Sequence, residues 1–365
     1  MPNNSNKSDR DKSCFPDYDL HATMRAAILY GVRDVRVEKK SIPNPSTRDV
    51  FLKIEAVGIC GSDIHYYKQG RIGDQVVNAP TIMGHEFSAT VMCLGKDVEN
   101  LHIGERVAVD PAISCGKCEQ CLSGNPNLCP NVCFCGTPPI NGVFAEYAVM
   151  PAANCFLLPD EMSFAEGTLL EPLGVAIHAI NLSHLKPGNT VAVLGAGPIG
   201  LLIASVAKAS GASVVYMTEP LEYRRNFAKK YIADHVIDPV GHDAAENILE
   251  LTEGRGVDLV FEAAGAPETP AQAAKMVRTG GKIILAGIPD NDEILFNASM
   301  ARRKGLTIKL VRRMKHSYPS AIQMVKTGMV DLKPLITHHF PLTRVGEAMA
   351  MLSNYQDGVI KVVIE

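Results

Sequence analysis

Short apolar runs separated by turn residues fill the first part of the chain. "RAAILY", "DVRVEKK", "VFLKIEAVGIC", "FSATVMCLG", "ERVAVDP" and "FAEYAVM" read as strands, broken by Gly and Pro, between residues 24 and 160. Many short strands at regular turn spacing predict a β-barrel or sandwich. From residue 171 the rhythm changes. "TVAVLG" is an apolar strand followed by the helical run "PIGLLIASVAKASG"; "SVVYMTE" precedes the helical "LEYRRNFAKKYIA". "HVID", "VDLVFEAAG" and "GKIILAGI" continue the alternation. Strands alternating with helices predict a parallel, doubly wound sheet. Two helical patches, "SYPSAIQMVKTG" and "TRVGEAMAMLS", and a closing strand "GVIKVVIE" end the chain. Periodicity leaves open which domain they complete.

The 365 residues, 46% hydrophobic and 21% charged, predict a two-domain globular protein. The net charge of −3 gives no basic surplus for nucleic acid or an anionic membrane, and no run is long enough to span one. The start, "MPNNSNKSDRDKSCFPDYDLHA", is polar, lacks an apolar signal core and carries Asp9 and Asp11. It reads as an extension, residues 1–23, of a cytoplasmic protein. In a reducing compartment, clustered cysteines are metal ligands rather than disulfides.

One such cluster is "SCGKCEQCLSGNPNLC", with Cys115, Cys118, Cys121 and Cys129. Four thiolates close a tetrahedral zinc site and leave no position for substrate, so this site is structural. Cys133 and Cys135 are nearby alternatives to Cys129, whereas Cys14, Cys93 and Cys155 read as buried small hydrophobes.

"VAVLGAGPIGLLIA" places Gly195, Gly197 and Gly200, with Pro198 and Ile199, between a strand and a helix. Glu219 ends the next strand, nineteen residues beyond Gly200. This is the dinucleotide fingerprint: glycines for the turn and the pyrophosphate, an acid for the ribose. The Glu219 charge favours NAD over NADP; Arg224 or Arg225 stands ready to stack on adenine or meet a phosphate.

"GICGSDIHYY" offers Cys60, Ser62, Asp63, His65 and Tyr66; "MGHEF" offers His85 and Glu86; "LLEPLGVAIHA" offers Glu171. A thiolate, an imidazole and a carboxylate can hold zinc with one position open, although spacing alone does not assemble them. At these residues the sequence resembles the zinc-containing medium-chain dehydrogenases, within them the sorbitol and other polyol dehydrogenases. "GICGSDIHYYKQGRIG", "MGHEFSATV", "GVFAEYAVMPA", "LLEPLGVAIHA" and "GAGPIGLL" carry the resemblance from Met24 to Glu365.

The resemblance implies a GroES-like β-barrel catalytic domain, residues 24–170 and 312–365, and a Rossmann NAD-binding domain, residues 171–311. It implies catalytic zinc on Cys60 and His85 with Glu86 or Glu171, Asp63 orienting His85, and so two zinc ions per chain. It extends the cofactor site to Arg224, Ala286, Gly287, Ile288, Arg312 and Arg313, and implies a homotetramer or homodimer. The expected reaction takes a sugar alcohol to a ketose with NAD as hydride acceptor. Ser62 receives the hydroxyl proton, His65 passes it on, and Tyr66, Glu171 and Arg313 meet the substrate. The polyol enzymes commonly carry a tyrosine after that arginine; here Met314 stands there and cannot donate a hydrogen bond. Other readings are a zinc dehydrogenase for threonine or butanediol, and a non-catalytic dinucleotide-binding scaffold. His102, His178, His184, His235, His338 and His339 match no ligand motif.

Overall fold

A computed structural model describes residues 23–365. The polar extension, apart from Thr23, and Cys14 lie outside the described residues. The strand-like runs of the first part divide between two sheets, of which the larger has seven strands. Its order is Cys155–Leu157, Arg106–Val109, Glu86–Leu94, Asp49–Gly58, Lys361–Ile364 and Ile336–Phe340, with Tyr147–Pro151 also pairing Asp49–Gly58. A three-stranded sheet, Asp34–Ser41, Thr23–Gly31 and Thr81–Ile82, lies beside it in sequence. A shared apolar core, with Ile28, Leu52, Phe87 and Phe144 almost fully buried, joins the two.

The second part forms a six-stranded parallel sheet, in the order His235–Ile237, Val214–Thr218, Thr190–Leu194, Val257–Glu262, Val277–Leu285 and Thr307–Leu310. Numbered along the chain this is 3-2-1-4-5-6, the doubly wound dinucleotide-binding order. The edge strand Thr307–Leu310 is absent from the sequence reading. Its residues are exposed or half-buried, so it lacks the apolar run that marks the central strands.

The closing strand, undecided by periodicity, runs antiparallel to Asp49–Gly58, with Val363 opposite Gly58 and Ile364 opposite Val57. The chain end therefore completes the first sheet. Helix Leu170–Ser183 is buried on nearly every side, as its continuous apolar sequence requires. Burying the side chains of Leu170 and Leu173 contributes about 2 kcal/mol each. Tyr318, at the start of helix Tyr318–Lys326, stacks on Phe156 at 4.7 Å and donates to the Val109 carbonyl at 2.7 Å. These contacts lock the late helix onto two neighbouring strands of the first sheet.

Cys155 is a buried free thiol. Cys93 differs from its sequence reading: it is buried, but disulfide-bonded. No helix among the described residues is long and apolar enough to cross a membrane.

Candidate active site

Cys60 sits at the N-cap of helix Gly61–Gln69, where Asp63 accepts a hydrogen bond from its backbone amide at 2.9 Å. Glu86 opens the strand Glu86–Leu94, directly after His85. Pairing of that strand with Asp49–Gly58 puts Gly58 opposite Glu86, so the two halves of the motif meet across the sheet. Ligand atoms of Cys60, His85 and Glu86 all lie within 4.8 Å of one another. Thiolate, imidazole and carboxylate form a donor set suited to zinc, and their proximity fits one ion. Burial, reinforced by Glu86, pushes the Cys60 thiol well up from its ordinary value, with Lys361 opposing.

Glu171 is buried in the first turn of helix Leu170–Ser183 but is not part of that three-residue cluster. Burial lifts its carboxyl to about 7, with His85 opposing and Glu86 adding to the rise. Glu86 in turn is bonded by Lys361, whose ammonium also donates to the Ile59 carbonyl at 2.9 Å. Lys361 is 2% exposed and was not picked out by the sequence reading, although a lysine inside the apolar run "GVIKVVIE" is a visible signal. A Cβ on Gly58 would collide with Glu86 and stand 3.0 Å from Lys361 Cε, so glycine is what lets this pair pass the strand.

Asp63 faces His85 within ion-pair range. It lies 3.7 Å from His85 Nδ1, too far for a hydrogen bond. It accepts instead from the backbones of Cys60 and Gly84, at 2.9 and 3.1 Å, and so sets the two ligand loops against each other. Ser62 and His65 are half-buried on the same helix, three residues apart and thus on one face. His65 Nδ1 stands 3.2 Å from Asp290 of the second part of the chain. The Tyr66 ring is 2% exposed within the barrel core, and its hydroxyl donates to Gln75 at 3.2 Å.

Arg313 is half-buried, with its guanidinium carbon 4.1 Å above the Phe134 ring. Burial and the neighbouring Arg312 lower its pKa to about 10, against Glu171, Tyr66 and Asp110. Its Nη1 is buried without a partner. Phe134 also packs 5.2 Å from the His85 ring, a bridge that no sequence signal announced. Met314 is 6% exposed and points at helix Leu170–Ser183, where a Cβ on Gly174 would come within 2.5 Å of its sulfur. It is a core residue, so its difference from tyrosine is one of packing.

The second cluster also assembles: Cys115, Cys118, Cys121 and Cys129 hold their sulfurs within 4.8 Å of one another. Backbone amides of Lys117 and Cys118 lower the Cys115 thiol to about 6, which favours the ligating thiolate. Cys133 is exposed and Cys135 is buried with its sulfur 3.7 Å from Met150, so neither joins the set.

At the dinucleotide loop, Gly195 has φ +96°, and a Cβ there would press on Ala263 at 3.1 Å. A Cβ on Gly197 would meet only Arg224 Nη1, at 3.7 Å; the cradle that a pyrophosphate needs is open. Pro198 and Ile199 begin helix Pro198–Ala209, and Gly200 packs against Gly195. Glu219 is 4% exposed, its carboxylate accepting from Ala196 at 2.8 Å and Leu221 at 3.0 Å. The two candidate arginines separate. Arg225 is paired with Asp238 at 2.8 Å, whereas Arg224 lies over Tyr355 with its Nε buried and unpartnered. Ala286, Gly287 and Ile288 follow strand Val277–Leu285 at the carboxyl end of the parallel sheet, and exposed Arg312 follows Thr307–Leu310.

Comparison with known proteins adds relatives to this geometry. The alcohol dehydrogenase GroES-like domain matches residues 46–160, and the zinc-binding dehydrogenase domain matches residues 198–327. The chain is 39% identical to the sorbitol dehydrogenase of Bacillus subtilis (strain 168), over 93% of this chain and 97% of that one. It is 40% identical to the protein of Aspergillus clavatus named "Probable D-xylulose reductase A", over 85% and 88%. An alcohol dehydrogenase of Escherichia coli CFT073, solved with NADH, superposes with a TM-score of 0.85 at 30% identity, covering 94% of this chain and 99% of that one.

Proposed function

From the premise that the chain belongs to the zinc-binding dehydrogenases with a GroES-like domain, in their polyol branch, we propose that it oxidises a secondary hydroxyl of a sugar alcohol to a ketose. The observation that carries this reading is the cluster of Cys60, His85 and Glu86 beside Glu171 and Arg313. Zinc, when held by Cys60, His85 and one of the two glutamates, supplies Lewis-acid polarisation of the reacting oxygen, and NAD, when bound, takes the hydride.

The chain's own residues do the rest. Ser62 accepts the hydroxyl proton, and His65, three residues along the same helix face, moves it toward solvent. Asp63 keeps the Cys60 and His85 loops in register through their backbones. Arg313, with an unpartnered Nη1, binds the remaining substrate hydroxyls alongside Glu171 and Tyr66. Gly195, Gly197 and Gly200, with Pro198 and Ile199, seat the pyrophosphate, and Arg224 lies beside it. Glu219 takes the ribose, and Ala286, Gly287, Ile288 and Arg312 line the nicotinamide side. Residues 24–170 with 312–365 form the catalytic domain and 171–311 the cofactor domain, supported by the return of Lys361–Ile364 to the first sheet. We assign the protein to the cytoplasm as a homotetramer or homodimer; light scattering checks the assembly.

The test is NADH formation with sorbitol, xylitol, arabinitol, galactitol and ribitol, with and without a chelator. Turnover of at least one polyol, abolished by metal removal, is expected. Oxidation of threonine or butanediol with no polyol accepted would end the sugar-alcohol reading.

A further inference from the structure

The four-cysteine segment does more than fold a loop around an ion. Asn127 lies in the short turn Pro126–Leu128, between Cys121 and Cys129, and is 6% exposed. Its amide nitrogen donates to the Arg312 carbonyl at 3.0 Å and lies 3.5 Å from His178 Nε2 on helix Leu170–Ser183. A carbonyl can only accept, so the amide nitrogen must face it, and the Asn127 orientation is determined. Two residues earlier, Asn125 accepts from Lys315 Nζ at 2.7 Å. Beyond the last cysteine, Phe134 lies flat beneath the Arg313 guanidinium. One segment thus grips the 312–315 turn at three points.

That turn needs holding. Arg313 has φ +54° and His316 φ +49°, a left-handed region that residues other than glycine occupy only where their surroundings insist. The Arg313 side chain is half-buried and its Nη1 has no partner; the Phe134 ring holds its guanidinium by stacking alone, which leaves the backbone below it to be fixed by the Arg312 carbonyl contact.

We propose that Asn127 is a positioning residue for polyol recognition: through the Arg312 carbonyl it couples the four-cysteine lobe to the turn that presents Arg313 to the substrate. The inference rests on the reading of Arg313 as a substrate contact. Burial and Lys315 both lower the His178 pKa, which favours the neutral ring, and the second Asn127 N–H faces its Nε2 at 3.5 Å.

Steady-state kinetics with the full-length enzyme test this. Asn127→Leu removes both donors and is expected to raise the polyol KM about tenfold with kcat near the parent value, and to raise the KM for NAD less, since Arg312 also belongs to the proposed cofactor site. Lys315→Met, at the rim of the same grip, is expected to raise the polyol KM about threefold, and it decides the matter should Asn127→Leu fail to fold. In an Arg313→Ala background neither substitution should add a further increase. A polyol KM unchanged in both variants, whatever their melting temperatures, would make Asn127 a merely structural residue and overturn the proposal. An Arg313→Ala enzyme with the parental polyol KM would instead remove the premise that Arg313 touches substrate, and the proposal with it.

Discussion

At the scale of single residues, the site works by holding charges where water cannot relax them. Asp63, Glu86 and Glu171 are each no more than 5% exposed, and Lys361 neutralises one of them. Buried carboxylates of this density call for a cation, which a zinc ion supplies. Glu219, which we propose takes the ribose, also fastens the amides of Ala196 and Leu221. Glu219→Ala is therefore expected to raise the KM for NAD by about tenfold while changing that for NADP less, narrowing the preference between them. Parallel titrations of the two cofactors check this, and an unchanged ratio would refute the ribose role. Cys60, His85 and Glu86 were legible in the sequence by family resemblance; Phe134 and Asn127 were not, because each acts on a partner more than forty residues away, and Lys361 showed only as a lysine in an apolar run, with no sign of its partner.

At the scale of elements, the parallel sheet is tied at one end by Asp258. It accepts from Thr190 at 2.9 Å, from Arg255 at 2.7 Å and from Arg278 at 2.7 Å, joining its own strand to both neighbours. Burial works against its ionisation, but Arg255, Thr190 and Arg278 outweigh it and hold the carboxyl well below its usual range. A depressed folded pKa stabilises the fold above the unfolded value of about 4, and this is lost as pH falls through the folded value. Asp258→Asn is expected to cost about 2 kcal/mol at neutral pH. Its deficit should shrink as pH drops below about 4, where the parent loses the same advantage. Urea unfolding across pH measures it; a gap independent of pH would exclude the ionic account. The central strands around Asp258 were readable because burial on both faces makes them continuous apolar runs. The edge strand Thr307–Leu310, half-solvated, carried no such pattern.

At the scale of the whole molecule, function depends on two sheets meeting along helix Leu170–Ser183 and on the turn at residues 312–315. The four-cysteine lobe reaches across that junction, so its loss should be felt in assembly before chemistry. Cys118→Ser is expected to release one zinc per chain and lower the melting temperature by several degrees, about 3 °C for each kcal/mol lost. Turnover of the remaining folded enzyme at saturating polyol should be largely kept; a well-folded but inactive variant would contradict a bracing role. The sequence by itself determined the elements and the donor types, because periodicity, glycine spacing and cysteine spacing act over a few residues. Only the tertiary structure brought the ligand atoms of Cys60, His85 and Glu86 within 4.8 Å of one another, set Asp63 against the backbone amides of Cys60 and Gly84, and returned the closing strand to the first sheet. Those outcomes rest on strand register and on desolvation, which arise when segments distant along the chain pack together and have no signature in any local stretch.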